Sequence, residues 1–305
     1  MPKISVLMNC YNGVVYLREA LDSLFLQSFT DWELVFVDNC STDNSYEILT
    51  KYNHDKIKYI KTQKNIPLGA ARNIGLNHCD GEYITFLDTD DLLLYNSLEH
   101  MLKLIINSGV DFAYGGHVNI NSQGEIIGNL TPKDEVGYLF PKLLIQFNIP
   151  IVSTILSRKL LVETQLNFDK NVTASEEYCL FMQLAANIDI CSSSQHFVKY
   201  RIHDGALTNK SISKWAEERR YTIDLILQTR PYLANQYPDE FALAFARAGY
   251  YDVQYFMSIG DRPSSLKAIK PYKYKHPAYL IIFIMIKCVP FLWSLFQKVK
   301  YKRNF

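Results

Sequence analysis

Four apolar, β-branched segments alternate with helical segments in the N-terminal third of the chain, and this alternation limits the possible folds most. The segments begin roughly 25 residues apart, which leaves room for a helix in each interval. Leu17, Leu21 and Leu24 share one helical face, and STDNSYEILTKY opens with capping residues. Such alternation predicts βαβ units and a parallel sheet with right-handed crossovers. The predicted strands are Ile4–Met8, Glu33–Val37, Ile57–Ile60 and Tyr83–Leu87.

Three carboxylates follow the fourth predicted strand at once, in the stretch GEYITFLDTDD. Only Thr89 separates Asp88 from Asp90 and Asp91, and like charges this close need water or a cation to balance them. Ligands of parallel sheets bind beyond the carboxyl ends of the strands, and Asp38 stands at that end of the second strand. The pattern predicts a ligand site at this edge. Asp91 is expected to be the N-cap of a helix formed by LLLYNSL.

The rest of the chain predicts more of the α/β domain and then a helical region. NSQGE is typical of a hairpin turn, SEEYCLFMQLAANI of a helix and HFVKYRIH of a strand. From Lys214 to about Tyr272 the pattern is helical, with a turn at Gly260 and Asp261. We therefore expect an α/β domain over residues 1–208, with halves 1–109 and 110–208, a helical region over 209–274 and a tail over 275–305.

The composition is that of a folded protein, with 48% hydrophobic and 21% charged residues. Six cysteines are scattered without a C-x-x-C pair, which argues against a zinc site or a disulfide framework and favours a reducing cytoplasm. Met1–Lys3 leads directly into a strand-like segment, so no signal peptide is expected. No nucleic-acid partner is expected.

Positive charge is concentrated at the C-terminus. From Arg262 to Phe305 there are ten Lys and Arg and no Asp or Glu, which leaves 22 basic and 31 acidic residues, a net charge of −9, in the rest of the chain. The apolar stretch Ala278–Phe296 in this tail is interrupted by Lys287 and Pro290. It predicts an interfacial helix on the cytoplasmic face of an anionic inner membrane, either peripheral or monotopic. A helix packed on the domain and a true membrane span are the alternatives.

Four motifs, in this order on successive strand-helix units, together resemble one known family. CYN, VDNCSTDNS, LGAARNIG and LDTDD are similar to the nucleotide-sugar-binding half of the inverting family-two glycosyltransferases, which have the GT-A fold. The resemblance extends from Ile4 to about Thr208. It implies a Rossmann-like α/β domain with a mostly parallel central sheet flanked by helices, here followed by a C-terminal helical appendage.

The resemblance also implies which residues hold the donor. Asp90 would ligate a divalent metal, Mg²⁺ or Mn²⁺, while Asp88 would lie near the ribose or the metal. Such a cation can bridge both phosphates and act as a Lewis acid. The family more often has Asp at position 39, but the Asn39 amide oxygen can still accept a hydrogen bond from a ring imide. We therefore favour a UDP-sugar, with a dTDP-sugar possible. The remaining predicted nucleotide-sugar residues are Cys10, Tyr11, Asn12, Asp38, Arg72, Thr89 and Arg201.

Two further clusters resemble that family's catalytic machinery. In ASEEYCLFMQLA, Glu177, or its neighbour Glu176, would be the general base that removes the acceptor proton. Acidic residues in a first helical turn also favour the helix dipole, which is the structural alternative. In YRIHDGALT, Arg201 and His203 would face the same side of a strand end. The resemblance places the histidine at the metal or the diphosphate, and an imidazole ligand makes Mn²⁺ at least as plausible as Mg²⁺.

The predicted function is metal-dependent, inverting transfer of a sugar to a hydroxyl of a lipid-linked or lipopolysaccharide-type glycan in polysaccharide biosynthesis. A catalytically inactive nucleotide-sugar- or glycan-binding protein of the same fold is the main alternative. A sugar-nucleotide pyrophosphorylase should have a glycine-rich loop with a basic residue after the first strand, and MNCYNGVVYL lacks one. The G-x-G-x-x-G pattern of dinucleotide-binding proteins is also absent from the sequence.

Overall fold

The structure, a computed structural model, describes residues 2–52, 55–205 and 211–293 of the 305-residue chain. The chain divides into two compact units, each assembled from three separate segments. The first unit contains Met1–Tyr138, Asn148–Thr173 and Asn187–His203, and the second contains Leu139–Phe147, Ala174–Ala186 and Asp204–Phe305. The predicted boundaries at residues 208 and 274 stay a prediction, and residue 208 lies outside the described ranges.

The first unit contains the predicted parallel strands, β1 (Ile4–Cys10), β2 (Trp32–Asp38), β3 (Ile57–Lys61) and β4 (Tyr83–Phe86). They lie in the order β3-β2-β1-β4, and all neighbouring pairs are parallel. The connecting helices are α1 (Leu17–Phe25), α2 (Ser45–Leu49) and α3 (Leu68–Leu76). β1 and β2 are buried along almost their whole length, which explains why their sequences are continuous apolar runs rather than alternating ones.

The sheet continues beyond β4 with mixed strand directions. The further strands in the described residues are β5 (Leu92–Leu93), β6 (Phe112–Ile120), β7 (Ile126–Leu130), β8 (Glu135–Gly137), β9 (Thr154–Ser157) and β10 (Ile190–Arg201). β9 lies antiparallel between β4 and β6, and β10 is parallel to β6. β6 and β7 form the predicted hairpin, whose turn uses Gly124 at a φ of 85°. Helices α4 (Ser97–Ser108) and α6 (Arg158–Thr164) belong to this unit, whereas α5 (Phe140–Ile145), which lies between them in the chain, belongs to the other.

The expected helix directly after Asp91 is not formed, so that prediction was wrong. Leu92–Leu93 is instead the short strand β5, antiparallel to β10, and α4 begins at Ser97. The Asp91 side chain is buried, and its Oδ1 accepts a hydrogen bond from the backbone N–H of Arg201 at 2.7 Å. A capping side chain has to bond its own helix, whereas Asp91 bonds to a distant strand.

The second unit is helical over its described residues. Its helices are α5 (Phe140–Ile145), α7 (Glu176–Ala185), α8 (Ile212–Thr229), α9 (Tyr232–Gln236), α10 (Pro238–Ser258), α11 (Arg262–Ile269) and α12 (Pro277–Cys288). The predicted helical hairpin is formed by α10 and α11. Gly260 has a φ of 79° at its turn, and Asp261 caps α11 by accepting a hydrogen bond from the N–H of Ser264 at 3.1 Å.

Helix α12 is formed by the predicted apolar segment, of which residues 294–296 lie outside the described part. Its Ile282 and Ile286 are buried with residues of α10 and α11 in one hydrophobic cluster. Ile281 and Ile284, on the other side, are exposed. The helix therefore packs on its unit by one apolar face and leaves a second one uncovered by the described residues. No helix in the described ranges is long and apolar enough to cross a membrane.

Candidate active site

The loop of residues 88–91 lies at the carboxyl edge of the parallel strands, directly after β4. Leu87 continues that strand by donating its N–H to the carbonyl of Leu7 at 3.1 Å. Asp88 then turns toward α3, where its Oδ1 accepts a hydrogen bond from Nη2 of Arg72 at 3.2 Å. Burial raises the pKa of Asp88, while the Arg72 charge acts in the opposite direction. Arg72 itself is buried against the ring of Phe168 and is not a surface arginine.

Asp90 and His203 meet although 113 positions separate them. The imidazole Nε2 lies 3.0 Å from Oδ2 of Asp90. The Tyr16 ring packs against the imidazole in a T-shaped arrangement, with 5.2 Å between the ring centres. In the sequence, only the resemblance of YRIHDGALT to the family indicated that His203 belongs to the metal site. In the structure, His203 lies beside Asp90, the predicted metal ligand.

Arg201 lies under this loop with its side chain only 1% exposed. Its Nε donates to the carbonyl of Asp90 at 2.9 Å, and its Nη2 donates to Oε2 of Glu19 at 2.8 Å. Burial strongly raises the pKa of the neighbouring Asp91 carboxyl, and the charges of Asp90 and Asp88 raise it further. These contacts do not test the contact between Arg201 and the donor that the resemblance implied. Sequence reasoning missed Glu19, because an acidic residue in a helical first turn looks like any other.

The ends of β2 and β3 form a second polar group at the same edge. Asp38 is buried; its Oδ1 accepts from the N–H of Ser41 at 2.7 Å and its Oδ2 from Oη of Tyr59 at 2.8 Å. The Asn39 amide pairs with the backbone of Ile66, donating to the carbonyl at 2.8 Å and accepting from the N–H at 3.0 Å. The oxygen predicted to meet a base is therefore bonded to protein, and a contact of Asn39 with a base stays a prediction.

The predicted Cys-Tyr-Asn motif lies at the end of β1 and in the loop after it, and its three residues differ in burial and contacts. Cys10 is buried, and burial raises the pKa of its thiol. Tyr11 is 53% exposed. Asn12 adopts a φ of 53°, and its Oδ1 accepts from the N–H of Thr42 at 2.8 Å. A Cβ added at Gly13 would stand 3.0 Å from Oγ1 of Thr89, which brings Thr89 beside this loop.

Glu176 and Glu177 begin α7 in the second unit. Glu176 is buried and Glu177 is partly exposed, so Glu177 is the more accessible of the two carboxylates. The turn before them is held by Glu218 of α8. Its Oε2 accepts from the N–H of Ala174 at 3.0 Å and from Oγ of Ser175 at 2.9 Å. This arrangement fixes the start of the helix that carries the candidate base.

The carboxylate and imidazole side chains at this edge could be ligands of a cation that binds together with a substrate phosphate. In residues 2–52, 55–205 and 211–293, no three His, Cys, Asp or Glu side chains already form a metal cluster. Asp90 and His203 supply one carboxylate and one imidazole, with Asp88 two positions away. Mg²⁺ commonly takes one or two carboxylates, with phosphate oxygens and water completing its coordination. Two or three protein ligands are therefore chemically sufficient for such a site.

The fold and the polar side chains at the carboxyl edge of its parallel strands are those expected from the sequence motifs, and comparison with known families agrees. The family described as glycosyl transferase family 2 matches residues 5–159. The chain belongs to glycosyltransferase family 2, as the sequence motifs predicted. The predicted α/β GT-A fold is confirmed as well. A crystal structure of Staphylococcus aureus TarS 1–349 with UDP-GlcNAc superimposes with a TM-score of 0.71 and 21% identity, covering 93% of this chain and 84% of TarS 1–349.

Relatives of this chain include both uncharacterized and characterized proteins. An uncharacterized glycosyltransferase of Rickettsia conorii is 30% identical over 79% of this chain and 38% of its own length. The Escherichia coli UDP-Glc:alpha-D-GlcNAc-diphosphoundecaprenol beta-1,3-glucosyltransferase WfgD is 25% identical over 69% of this chain and 81% of its own length. The chain spans only 34–38% of the length of the three Rickettsia relatives that it matches over 241 residues.

Proposed function

We propose that this protein transfers a sugar, with inversion, from a nucleotide-sugar donor to a hydroxyl of a glycan. The observation that carries the proposal is the pairing of His203 with Asp90 in the Asp-x-Asp loop, at the carboxyl edge of a family 2 domain. A diphosphate leaves readily only where its growing charge is balanced. We favour a UDP-sugar because TarS was crystallised with UDP-GlcNAc and WfgD is named for UDP-Glc. A dTDP-sugar is the next choice.

The proposed cofactor is a divalent cation, Mn²⁺ or Mg²⁺, held by Asp90, Asp88 and His203. When bound, it supplies Lewis-acid stabilisation of the departing diphosphate. Arg72 holds the Asp88 carboxylate from the side of α3. An imidazole ligand makes Mn²⁺ at least as plausible as Mg²⁺. Asp38, with the loop of residues 10–12, is proposed to hold the nucleotide.

Glu177 is the proposed general base. It would accept the proton of the acceptor hydroxyl while the oxygen attacks the anomeric carbon from the face opposite the diphosphate, which inverts the configuration there. General-base assistance contributes roughly 10²–10⁴-fold to the rate. Its partial exposure supports Glu177 over the buried Glu176.

The proposed acceptor is a lipid-linked or lipopolysaccharide-type glycan at the cytoplasmic face of a membrane. The diphosphoundecaprenol acceptor in the name of WfgD supports this class. Helix α12 also supports it, because its exposed Ile281 and Ile284 stand in a segment with ten basic residues and no acidic one. Apolar residues flanked by lysines suit the interface of an anionic leaflet.

Donor hydrolysis and transfer, measured with a panel of UDP- and dTDP-sugars plus Mn²⁺, test the catalytic proposal. Asp90→Asn should abolish the metal-dependent rate while the melting temperature stays within a few degrees. Glu177→Gln should keep donor binding near normal and lower the rate at least about a hundredfold. Donor binding without any turnover would instead favour the inactive binding protein, and loss of rate only in Glu176→Gln would move the base by one residue.

Vesicle flotation tests whether the exposed apolar face of α12 binds a membrane. The protein should float with vesicles containing anionic lipid and remain below zwitterionic ones. Replacing one inserted isoleucine, as in Ile281→Glu, should weaken binding at least about tenfold, since burying such a side chain is worth about 1.5–3 kcal/mol. Ile126→Glu, at a β7 residue that is also well exposed, is the matched control and should float like the parent. Equal flotation of both variants would exclude the α12 face.

A further inference from the structure

The guanidinium of Arg201 is occupied by protein on every nitrogen. Nε donates to the carbonyl of Asp90 and Nη2 to the carboxylate of Glu19. Nη1 lies 3.5 Å and 3.3 Å from the carbonyl oxygens of Asn121 and Ser122 in the turn after β6. One side chain therefore joins three segments of the first unit: helix α1, the acidic loop and the β6–β7 turn.

Arg201 also borders both partners of the Asp90–His203 pair. Its guanidinium carbon stands 4.3 Å from the ring centre of Tyr16, and that same ring packs against the imidazole of His203 in a T-shaped arrangement. Its backbone N–H holds Asp91, the residue next to Asp90. A displacement of Arg201 would therefore disturb the Asp90 carboxylate through the backbone of Asp90, and the His203 imidazole through Tyr16.

We propose that Arg201 is a positioning residue that presets Asp90 and His203 for the cation, and that it does not contact the donor. The inference rests on the proposed metal-dependent function. To reach a phosphate, the guanidinium would have to leave Glu19 and three carbonyl oxygens, and hydrogen bonds that involve charged groups are among the strongest in proteins. Its side chain is also 1% exposed, which gives a ligand no free approach.

The affinity for a cation that has few protein ligands depends on the geometry of those ligands. Holding them in place before the cation binds therefore matters. Metal affinity commonly falls 10–100-fold when the residues that orient its ligands are changed. Lysine at position 201 keeps the charge but lacks the planar fork that serves several acceptors at once. The carbonyl of Asp90 and the Tyr16 ring would then lose their support.

The test separates binding of the metal from binding of the nucleotide. Mn²⁺ binding is measured by electron paramagnetic resonance without nucleotide, and UDP binding by calorimetry in EDTA. Arg201→Lys should weaken Mn²⁺ binding about tenfold or more and change UDP binding in EDTA less than about twofold. Arg158→Lys is the matched control, since Arg158 also donates its Nε to a backbone carbonyl, that of Gly81 at 2.9 Å, at the opposite edge of the sheet.

Weaker UDP binding of Arg201→Lys in EDTA would overturn the inference, and so would Mn²⁺ binding equal to that of the Arg158→Lys control. Glu19→Gln serves if Arg201→Lys does not fold, because Glu19 is 55% exposed and glutamine can still accept the bond from Arg201. This variant should also weaken Mn²⁺ binding, but by a smaller factor than Arg201→Lys does. A parent protein that binds Mn²⁺ neither alone nor together with UDP would refute the proposed metal function itself, which is a different result.

Discussion

The side-chain amide of Asn39 forms a two-way pair with the backbone of Ile66, and replacing it with Asp should destabilise the protein in a pH-dependent way. The amide nitrogen donates to the Ile66 carbonyl at 2.8 Å, and the oxygen accepts from the Ile66 N–H and from Oγ1 of Thr62. Asn39→Asp keeps the acceptor and removes the donor. An ionised carboxylate would place a second oxygen against the Ile66 carbonyl in a buried site.

The expected loss follows from that one contact. A buried polar group left without its partner costs about 1–3 kcal/mol. For a unit of this size, that loss lowers the melting temperature by roughly 2–12 °C at pH 7.5. When protonated, the new carboxyl can donate to the Ile66 carbonyl again, so its pKa should be raised in the folded state. The difference from the parent should therefore be smallest near pH 4 to 5 and should grow as the pH rises.

Thermal unfolding of the parent, Asn39→Asp and Asn39→Ala between pH 4.5 and 8 measures this effect. The alanine variant loses the same donor without gaining a titratable group, so its difference from the parent should not change with pH. An Asn39→Asp variant as stable as the parent at pH 7.5 would refute the reasoning. So would an equal loss at both ends of the pH range.

Two further predictions concern other buried positions. Gly81→Ala should lower the melting temperature by roughly 2–12 °C, because its Cβ would stand 2.5 Å from the backbone nitrogen of Ser5, which cannot move aside. His117 should contribute to acid destabilisation, since burial lowers its pKa to about 4. Stability should fall by about 2 kcal/mol from pH 7.5 to pH 5 through this group, and denaturant titrations of His117→Leu should lack that part of the loss.

Local sequence patterns predicted the strands β1 to β4, and the aspartates at their carboxyl ends, well. β1 to β4 were predictable because each is a short apolar run between helix and turn signals, and their carboxyl ends carry Asp38 and Asp88. The error at Asp91 has a tertiary origin, since its partner, the backbone of Arg201, lies 110 positions away. The pairing of Arg201 with Glu19 spans 182 positions. No local signal distinguishes such a buried arginine from one that binds a ligand.

The path of the chain between the two units limits how either can be rebuilt. Leu139–Phe147 and Ala174–Ala186 leave the sheet-bearing unit, join the helical one and return. Neither unit is thus a continuous stretch of polypeptide, and no single cut of the gene yields one intact. A chimera that exchanges the helical unit would have to replace three segments together, including α7 with its candidate base.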